Sequence, residues 1–371
     1  MVRRCTRFTS VVVFLVGCAA LVSVINVREL SVTLKTKLRV AKLSFGAASG
    51  LNNEKRTCDP RSRNERNGRN CNDKPPNVIR GLTYKSRGNV SLELCQAVPD
   101  LLVGRLIINF VAALKSPPPP ALQDVSPGGT WSPKNCVATQ RIAIIIPFRD
   151  RQKHLDILAY YLVPVLKRQE VAFRIFVVEQ YGNKTFNKGR LMNIGFTEAR
   201  KYDEFDCFIF HDVDLIPEDD RNMYTCSENP RHMSPAVDKF KYKLPYKGLV
   251  GGVLSFRSNH FTKVNGYSNL FWGWGGEDDE MYHRLTASKI TLLRTPFETG
   301  RYKMIKHGRK GGTSPFRWKL LKTLKKRLKK DGLNTLEYKL VETRLEKLYT
   351  RILADVGDPA NDSDRLSALL A

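Results

Sequence analysis

Apolar residues change rhythm several times along the chain. Residues 11–27, VVVFLVGCAALVSVINV, carry no charge. That run exceeds an ordinary signal-peptide core and is just long enough to cross a thin bilayer. From residue 28 to 94 no apolar period is visible, and Arg, Lys and Asn are frequent. A stretch that buries so little apolar surface reads as an extended or disordered stem. SPPPP (residues 116–120) and SPGGTWSPKN (126–135) break any regular element. From Arg141 the pattern becomes regular. RIAIIIPF, FRIFVVEQ (173–180) and CFIFHDVD (207–214) are short β-branched or aromatic runs, which predict buried strands. Between them RQKHLDILAYYLVPVL and NKGRLMNIGFTEARK (187–201) have helical spacing. Strand and helix alternate, so the fold class is α/β with an open, mostly parallel sheet. No internal repeat is visible.

The terminal segments acquire an address once charge is added. Arg3, Arg4 and Arg7 precede the apolar run. By the positive-inside rule residues 1–10 form a cytosolic tail, residues 11–27 a signal anchor rather than a cleaved peptide, and the remainder is lumenal. Lys and Arg number 62 against 36 Asp and Glu, a formal charge of +26. Such an excess suits anionic ligands or surfaces without choosing among them. Two basic runs, residues 55–70 and 317–330, hold much of it, and solvated surface is the plain reading of both. Eight cysteines fit a lumenal chain: Cys5 and Cys18 belong to the anchor region, and the other six allow up to three disulfides. None has the spacing of a metal knuckle. Sequons at Asn89, Asn183 and Asn361 support the same secretory address.

Candidate chemistry concentrates in two places. In FHDVDLIP (210–217) a hydrophobic strand runs into Asp212-Val213-Asp214. Ligands of open α/β sheets bind beyond the carboxyl ends of strands. Two carboxylates at one point are costly unless a cation neutralises them, and hard oxygen donors suit Mn²⁺ or Mg²⁺, which can bridge a diphosphate. Two solvated turn aspartates are the alternative. The second place is FWGWGGEDDEMYHRL (271–285). Sugar rings present apolar C–H faces that favour aromatic walls, and transfer to a hydroxyl needs a carboxylate base. Gly273, Gly275 and Gly276 permit backbone movement. Glu277, Asp278, Asp279 and Glu280 would open a helix, where the dipole also favours acidic residues, so simple capping is the competing reading.

FRDR (148–151), FNKGRLMNIGF, FHDVDLIP, RHMSPAVDKFKYKLPY, GGV, NGYSNLFWGWGGEDDEMYHRL and MIKH (304–307) follow in order. Together they resemble the β-1,4-galactosyltransferase family, glycosyltransferase family 7, over roughly residues 95–357. The resemblance implies a GT-A-like nucleotide-sugar fold, a catalytic domain at 95–357, a C-terminal tail at 358–371, and a Golgi membrane protein of type II. It implies an inverting transfer in which Asp278 is the catalytic base. Asp214, Met304 and His307 would be the protein ligands of Mn²⁺. Thioether is a soft donor for a hard ion, so Met304 rests on the resemblance alone. Arg149, Arg151, Phe186, Lys188, Asp212, Val213, Leu249, Gly252, Trp274 and Glu277 would contact the UDP-sugar donor. Tyr246, Trp274, Gly276, Glu277, Asp278 and Asp279 would contact the acceptor, and Trp272 would pack or support the loop. Cys95 would pair with Cys136, and Cys207 with Cys226; Cys58 and Cys71 stay in the stem.

The chain departs from the family in several places. Lys188 stands where many members have Arg, and Asp150 where Asn is common. The segment after His307, GRKGGTSPFRWKLLKT, corresponds to a long lid but is shorter, and Phe316 and Trp318 both qualify as its acceptor-facing aromatic. The sharpest departure is in LPYKGLVGGV. Galactose-specific members carry Tyr where this chain has Leu249. A shorter apolar side chain leaves room for an N-acetyl group, as in members that transfer N-acetylgalactosamine. The expected donor is therefore UDP-GalNAc, with UDP-Gal or UDP-GlcNAc as alternatives, and the expected acceptor a terminal β-GlcNAc on glycoprotein or glycolipid. No nucleic-acid partner is expected. Two other classes compete: a non-enzymatic, basic membrane protein that binds sulfated glycans, and a glycoside hydrolase with paired carboxylates.

Overall fold

The computed structural model describes residues 92–308, 312, 316–360, 362, 363 and 367. The anchor, nearly all of the stem, and the sequons at Asn89 and Asn361 lie outside the described residues. Among the described residues no helix is long and apolar enough to cross a membrane.

Helix α1 (Phe110–Lys115) and strand β1 (Thr130–Trp131) lead into the predicted alternation: β2 (Arg141–Phe148), α2 (Gln152–Arg168), β3 (Ala172–Gln180), α3 (Lys188–Ala199) and β4 (Cys207–His211). Successive side chains of a strand face opposite sides of a sheet. Ile142, Ile144 and Ile146 accordingly join one core with Leu155, Leu158, Leu162 and Leu166 of α2. Ala143 and Ile145 join the other with Leu191 and Ile194 of α3. Burying each such branched side chain contributes about 1.5–3 kcal/mol, so a run buried on both faces commits strongly to a central strand. Asn187 caps α3, its side-chain oxygen accepting from Arg190 N at 2.9 Å.

The later elements are β5 (Leu215–Pro217), β6 (Arg231–His232), β7 (Ala236–Val237), β8 (Val253–Phe256), α4 (Ser258–Lys263), α5 (Glu277–Ala287), β9 (Leu293–Arg294), β10 (Arg301–Met304), α6 (Arg317–Arg327), β11 (Lys339–Leu345) and β12 (Thr350–Asp355). The main sheet runs β11-β12-β3-β2-β4-β8-β6-β9, with β1 also on β3; β5, β10 and β7 form a second sheet. Strands β12, β3, β2 and β4 are parallel. Strand β8 lies antiparallel to β4 and to β6, and β11 antiparallel to β12. The sheet is therefore mixed, a parallel centre with antiparallel pairing on both sides and a parallel β6–β9 pair at one edge, where the sequence pattern predicted a mostly parallel one. The third predicted strand also stops early. After His211 the chain turns, Leu215 N donating to Asp212 O, and leaves in the second sheet as β5.

Both expected disulfides are present, Cys95–Cys136 and Cys207–Cys226. A second fastening is ionic. Glu280, Arg284, Arg327 and Asp331 are all at most 1% exposed. Arg284 binds Glu280 at 2.8 Å and the Asp331 carbonyl at 2.7 Å. Arg327 bonds both Glu280 and Asp331. Two guanidinium groups and two carboxylates thus neutralise one another in the dry interior, and they lock α5 to α6 and to the turn that follows it.

Candidate active site

The turn after β4 and the end of β10 meet. Met304 pairs with Leu215, and Ile305 N donates to Asp214 O at 2.8 Å. This register brings His307 Nε2 to 2.7 Å from Asp214 Oδ2. Met304 is fixed from behind by Asp238, whose Oδ1 accepts from its amide at 2.9 Å. Burial works to raise the Asp214 carboxyl, but the His307 hydrogen bond and nearby cations outweigh it and hold it below its usual value. That bond also raises the His307 imidazole. A carboxylate and an imidazole therefore meet from two hydrogen-bonded strand ends, groups that suit a divalent cation, while Met304 stands three residues before His307 with its side chain packed against the core.

Asp212 turns the other way, toward Lys188 at the start of α3. Lys188 Nζ lies 2.7 Å from Asp212 Oδ1 and 3.5 Å from Glu277 Oε1. Burial would lower the Lys188 ammonium, yet the Asp212, Glu277 and Asp278 charges drive it well above its ordinary value. Burial and the adjacent Asp278 charge push the Glu277 carboxyl up to about 7, against the pull of Lys188. Arg149 places its guanidinium 5.2 Å from the centre of the Phe186 ring. Arg151 Nη2 lies 3.0 Å from His307 Nδ1. Arg151 thus stands beside the Asp214–His307 pair.

The four acidic residues of α5 have four different surroundings. Gly276 precedes them with a φ of 104°, a left-handed turn that a Cβ would obstruct against Phe271. Glu277 faces Lys188. Asp279 accepts from Tyr246 Oη at 2.6 Å and lies 3.8 Å from Arg317. Glu280 is the buried partner of Arg284 and Arg327. Asp278 alone makes no ion pair among the described residues. It is half-buried, and its Oδ1 accepts from Asp279 N at 2.9 Å. Its Oδ2 lies against the bare face of Gly251, where a Cβ would approach to 2.1 Å. A half-buried carboxylate outside any such ion pair, fixed at a helix start, is suited to act as a base.

Gly251 belongs to the segment that also carries Leu249 and Gly252. Leu249 is half-buried, its carbonyl accepting from Arg294 Nη1 at 2.9 Å. Gly252 O accepts from Asp212 N at 2.9 Å, and Val213 beside it is half-buried. The fully buried His232 completes the support. Its Nε2–H donates to Gly251 O at 3.0 Å, while Nδ1 accepts from Arg294. Neither residue stood out in the sequence, because a lone His before a Met and an Arg in a short strand have no diagnostic spacing. Burial and the Arg294 charge lower the His232 imidazole to about 3.

Trp274 is 48% exposed, and its amide donates to Gly312 O at 3.2 Å. Trp272 is buried. Its Nε1 donates to Asp362 Oδ2 at 2.8 Å, and Arg190 holds the same oxygen at 2.9 Å. The predicted C-terminal tail thus reaches back to the Trp-Gly segment. Asn183 is exposed in the loop before α3.

The chain is similar to known proteins. Residues 95–227 match the family described as the N-terminal region of glycosyl transferase group 7, and residues 231–308 the one described as the N-terminal domain of galactosyltransferase. The chain is 43% identical to mouse β-1,4-galactosyltransferase 1 over 281 residues, covering 73% of this chain and 69% of that one. It is 42% identical to human β-1,4-galactosyltransferase 3 over 279 residues, covering 72% and 70%. The catalytic domain of Drosophila β-1,4-galactosyltransferase 7, solved with xylobiose, superposes with a TM-score of 0.53 at 29% identity, over 61% of this chain and 98% of that one. A point mutant of the same Drosophila enzyme, solved with manganese, UDP-Gal and xylobiose, gives a TM-score of 0.50 at 28% identity over the same shares.

Proposed function

The chain belongs to glycosyltransferase group 7, the β-1,4-galactosyltransferase family, and is a hexosyltransferase; from that premise we propose an inverting β-1,4-transfer of N-acetylgalactosamine from UDP-GalNAc to a terminal β-GlcNAc acceptor. The observation that carries the reading is the carboxylate of Asp278, which no ion pair among the described residues claims, facing the segment that holds Leu249. The acceptor 4-hydroxyl attacks the anomeric carbon as the bond from that carbon to the diphosphate oxygen breaks. Its proton passes to Asp278. Glu277 and Asp279 flank the base and orient sugar hydroxyls, Asp279 together with Tyr246. Lys188, Arg149 and Arg151 balance the diphosphate, and Phe186 gives the uracil an apolar face. Trp274 covers the sugars.

Asp214, Met304 and His307 fit a divalent cation, and manganese in the solved relative supports Mn²⁺ for this chain. When bound, the ion neutralises charge on the departing UDP. Leu249 is the donor selector, its side chain leaving room beside carbon 2 of the donor sugar. We further assign the protein to the Golgi membrane, anchored by residues 11–27 with the stem at 28–94 and the catalytic domain at 95–357 in the lumen. The test is kinetics with UDP-GalNAc, UDP-Gal and UDP-GlcNAc in Mn²⁺ for wild type and Leu249→Tyr. Wild type should favour UDP-GalNAc and the variant should shift toward UDP-Gal. A wild-type preference for UDP-Gal, or an unmoved preference in the variant, refutes the donor assignment.

A further inference from the structure

Helix α6 carries a surface that the transfer reaction does not use. Residues 316–330 contain no Asp or Glu. Leu320, Leu324 and Arg327 face inward, while Lys319, Lys322, Lys325 and Lys326, then Lys329 and Lys330, are exposed on the opposite side. None of the six lysines makes an ion pair among the described residues. A solvated helix face ordinarily mixes signs, and like charges three or four residues apart repel. This stripe tolerates that repulsion repeatedly.

The stripe is continuous with the acceptor end of the site. Arg317, at its head, lies 3.8 Å from Asp279. Its guanidinium sits 5.7 Å from the Trp274 ring centre and 4.7 Å from that of Trp318, which is 65% exposed. Arg317 Nε is buried with no hydrogen-bond acceptor among the described residues. An aromatic–guanidinium–aromatic ledge thus leads from the acceptor carboxylates onto a row of lysines. From Trp318 to Lys326 the row extends about 12 Å, the reach of a short oligosaccharide.

We propose that α6 binds the inner residues of an acceptor glycan bearing anionic groups, sulfate or carboxylate, with Trp318 stacked on a sugar face and the lysines paired with the anions. This rests on the transferase reading and names its substrate class. Charge complementarity and continuity with the acceptor end select a glycan over a membrane surface.

The test uses the full chain in detergent with three acceptors sharing a terminal β-GlcNAc: a neutral one, one sulfated on the inner sugar, and one with an inner uronate. At low salt the KM of wild type for one or both anionic acceptors should be roughly tenfold below the neutral one, as a few exposed ion pairs allow. That advantage should disappear in the Lys322→Glu/Lys326→Glu variant, whose kcat and KM on the neutral acceptor stay at the wild-type values. Which anionic arm gains identifies the anion. Equal KM for all three acceptors, or an advantage that survives the charge reversal, overturns the proposal. Binding to phosphatidylserine vesicles without any anionic-acceptor advantage also overturns it. Absence of transfer to every acceptor counts against the transferase reading. Titration of the sulfated acceptor, followed by tryptophan fluorescence, then decides the stripe alone: binding that the double variant loses supports it, and no binding overturns it.

Discussion

Gly251→Ala separates the position of Asp278 from the stability of the fold. The added methyl carbon would sit 2.1 Å from Asp278 Oδ2 and 3.2 Å from its Cγ, and its three nearest neighbours all belong to the Asp278 side chain. The backbone at 251 lies outside the left-handed region, so alanine fits there without strain. The carboxylate must therefore move by at least about 1 Å to restore ordinary contact. Rotating it away also weakens its 2.9 Å bond to Asp279 N. A displacement of about 1 Å at a reacting group costs on the order of 100-fold, or about 2.7 kcal/mol of barrier. The assay is initial-rate transfer with saturating UDP-sugar, Mn²⁺ and a β-GlcNAc acceptor, with thermal melting as the fold control. The expected outcome is a kcat about 100-fold down with the melting temperature nearly unchanged. A folded variant within about threefold of wild-type kcat would refute the placement of Asp278 as base.

The buried ionic cluster and the buried imidazole make two further predictions. Arg327→Met leaves Glu280 and Asp331, both at most 1% exposed, with one cation between them, and should lower stability by about 3–5 kcal/mol in urea unfolding; an unchanged midpoint contradicts the cluster's role. His232 is neutral in the folded chain because its imidazole is lowered to about 3 from 6.5. Below pH about 6.5 the unfolded chain takes up a proton that the folded chain refuses, so wild-type stability should fall relative to His232→Gln as pH drops toward about 4, with a slope approaching about 1.4 kcal/mol per unit. Parallel stability curves for the two proteins would exclude this.

The parallel centre was legible because β2, β3 and β4 are apolar on both faces. The flanks were not. Strands β6 and β9 have two residues each, too few to show a period, and β11 is exposed along nearly its whole length. The Asp-x-Asp turn and the acidic helix start were readable as chemistry, but their division of labour was not. Capping and ion pairing use the same residue types, and only the positions of Lys188, Arg284, Arg317 and Arg327 separate Asp278 from its neighbours. His232 and Arg294 act on backbone carbonyls, an interaction that leaves no side-chain pattern in the sequence. The contact from Asp362 to Trp272 and Arg190 joins residues 90 and 172 positions apart and was invisible for the same reason.

The most direct measurement follows the product of wild type and Asp278→Asn by proton NMR, each incubated with UDP-GalNAc, Mn²⁺ and a β-GlcNAc acceptor after circular dichroism has shown the variant folded. Wild type should yield a β-1,4-linked product, and the folded variant should yield none above background. A product of α configuration, or transfer by Asp278→Asn at the wild-type rate, would contradict a single displacement with Asp278 as its base.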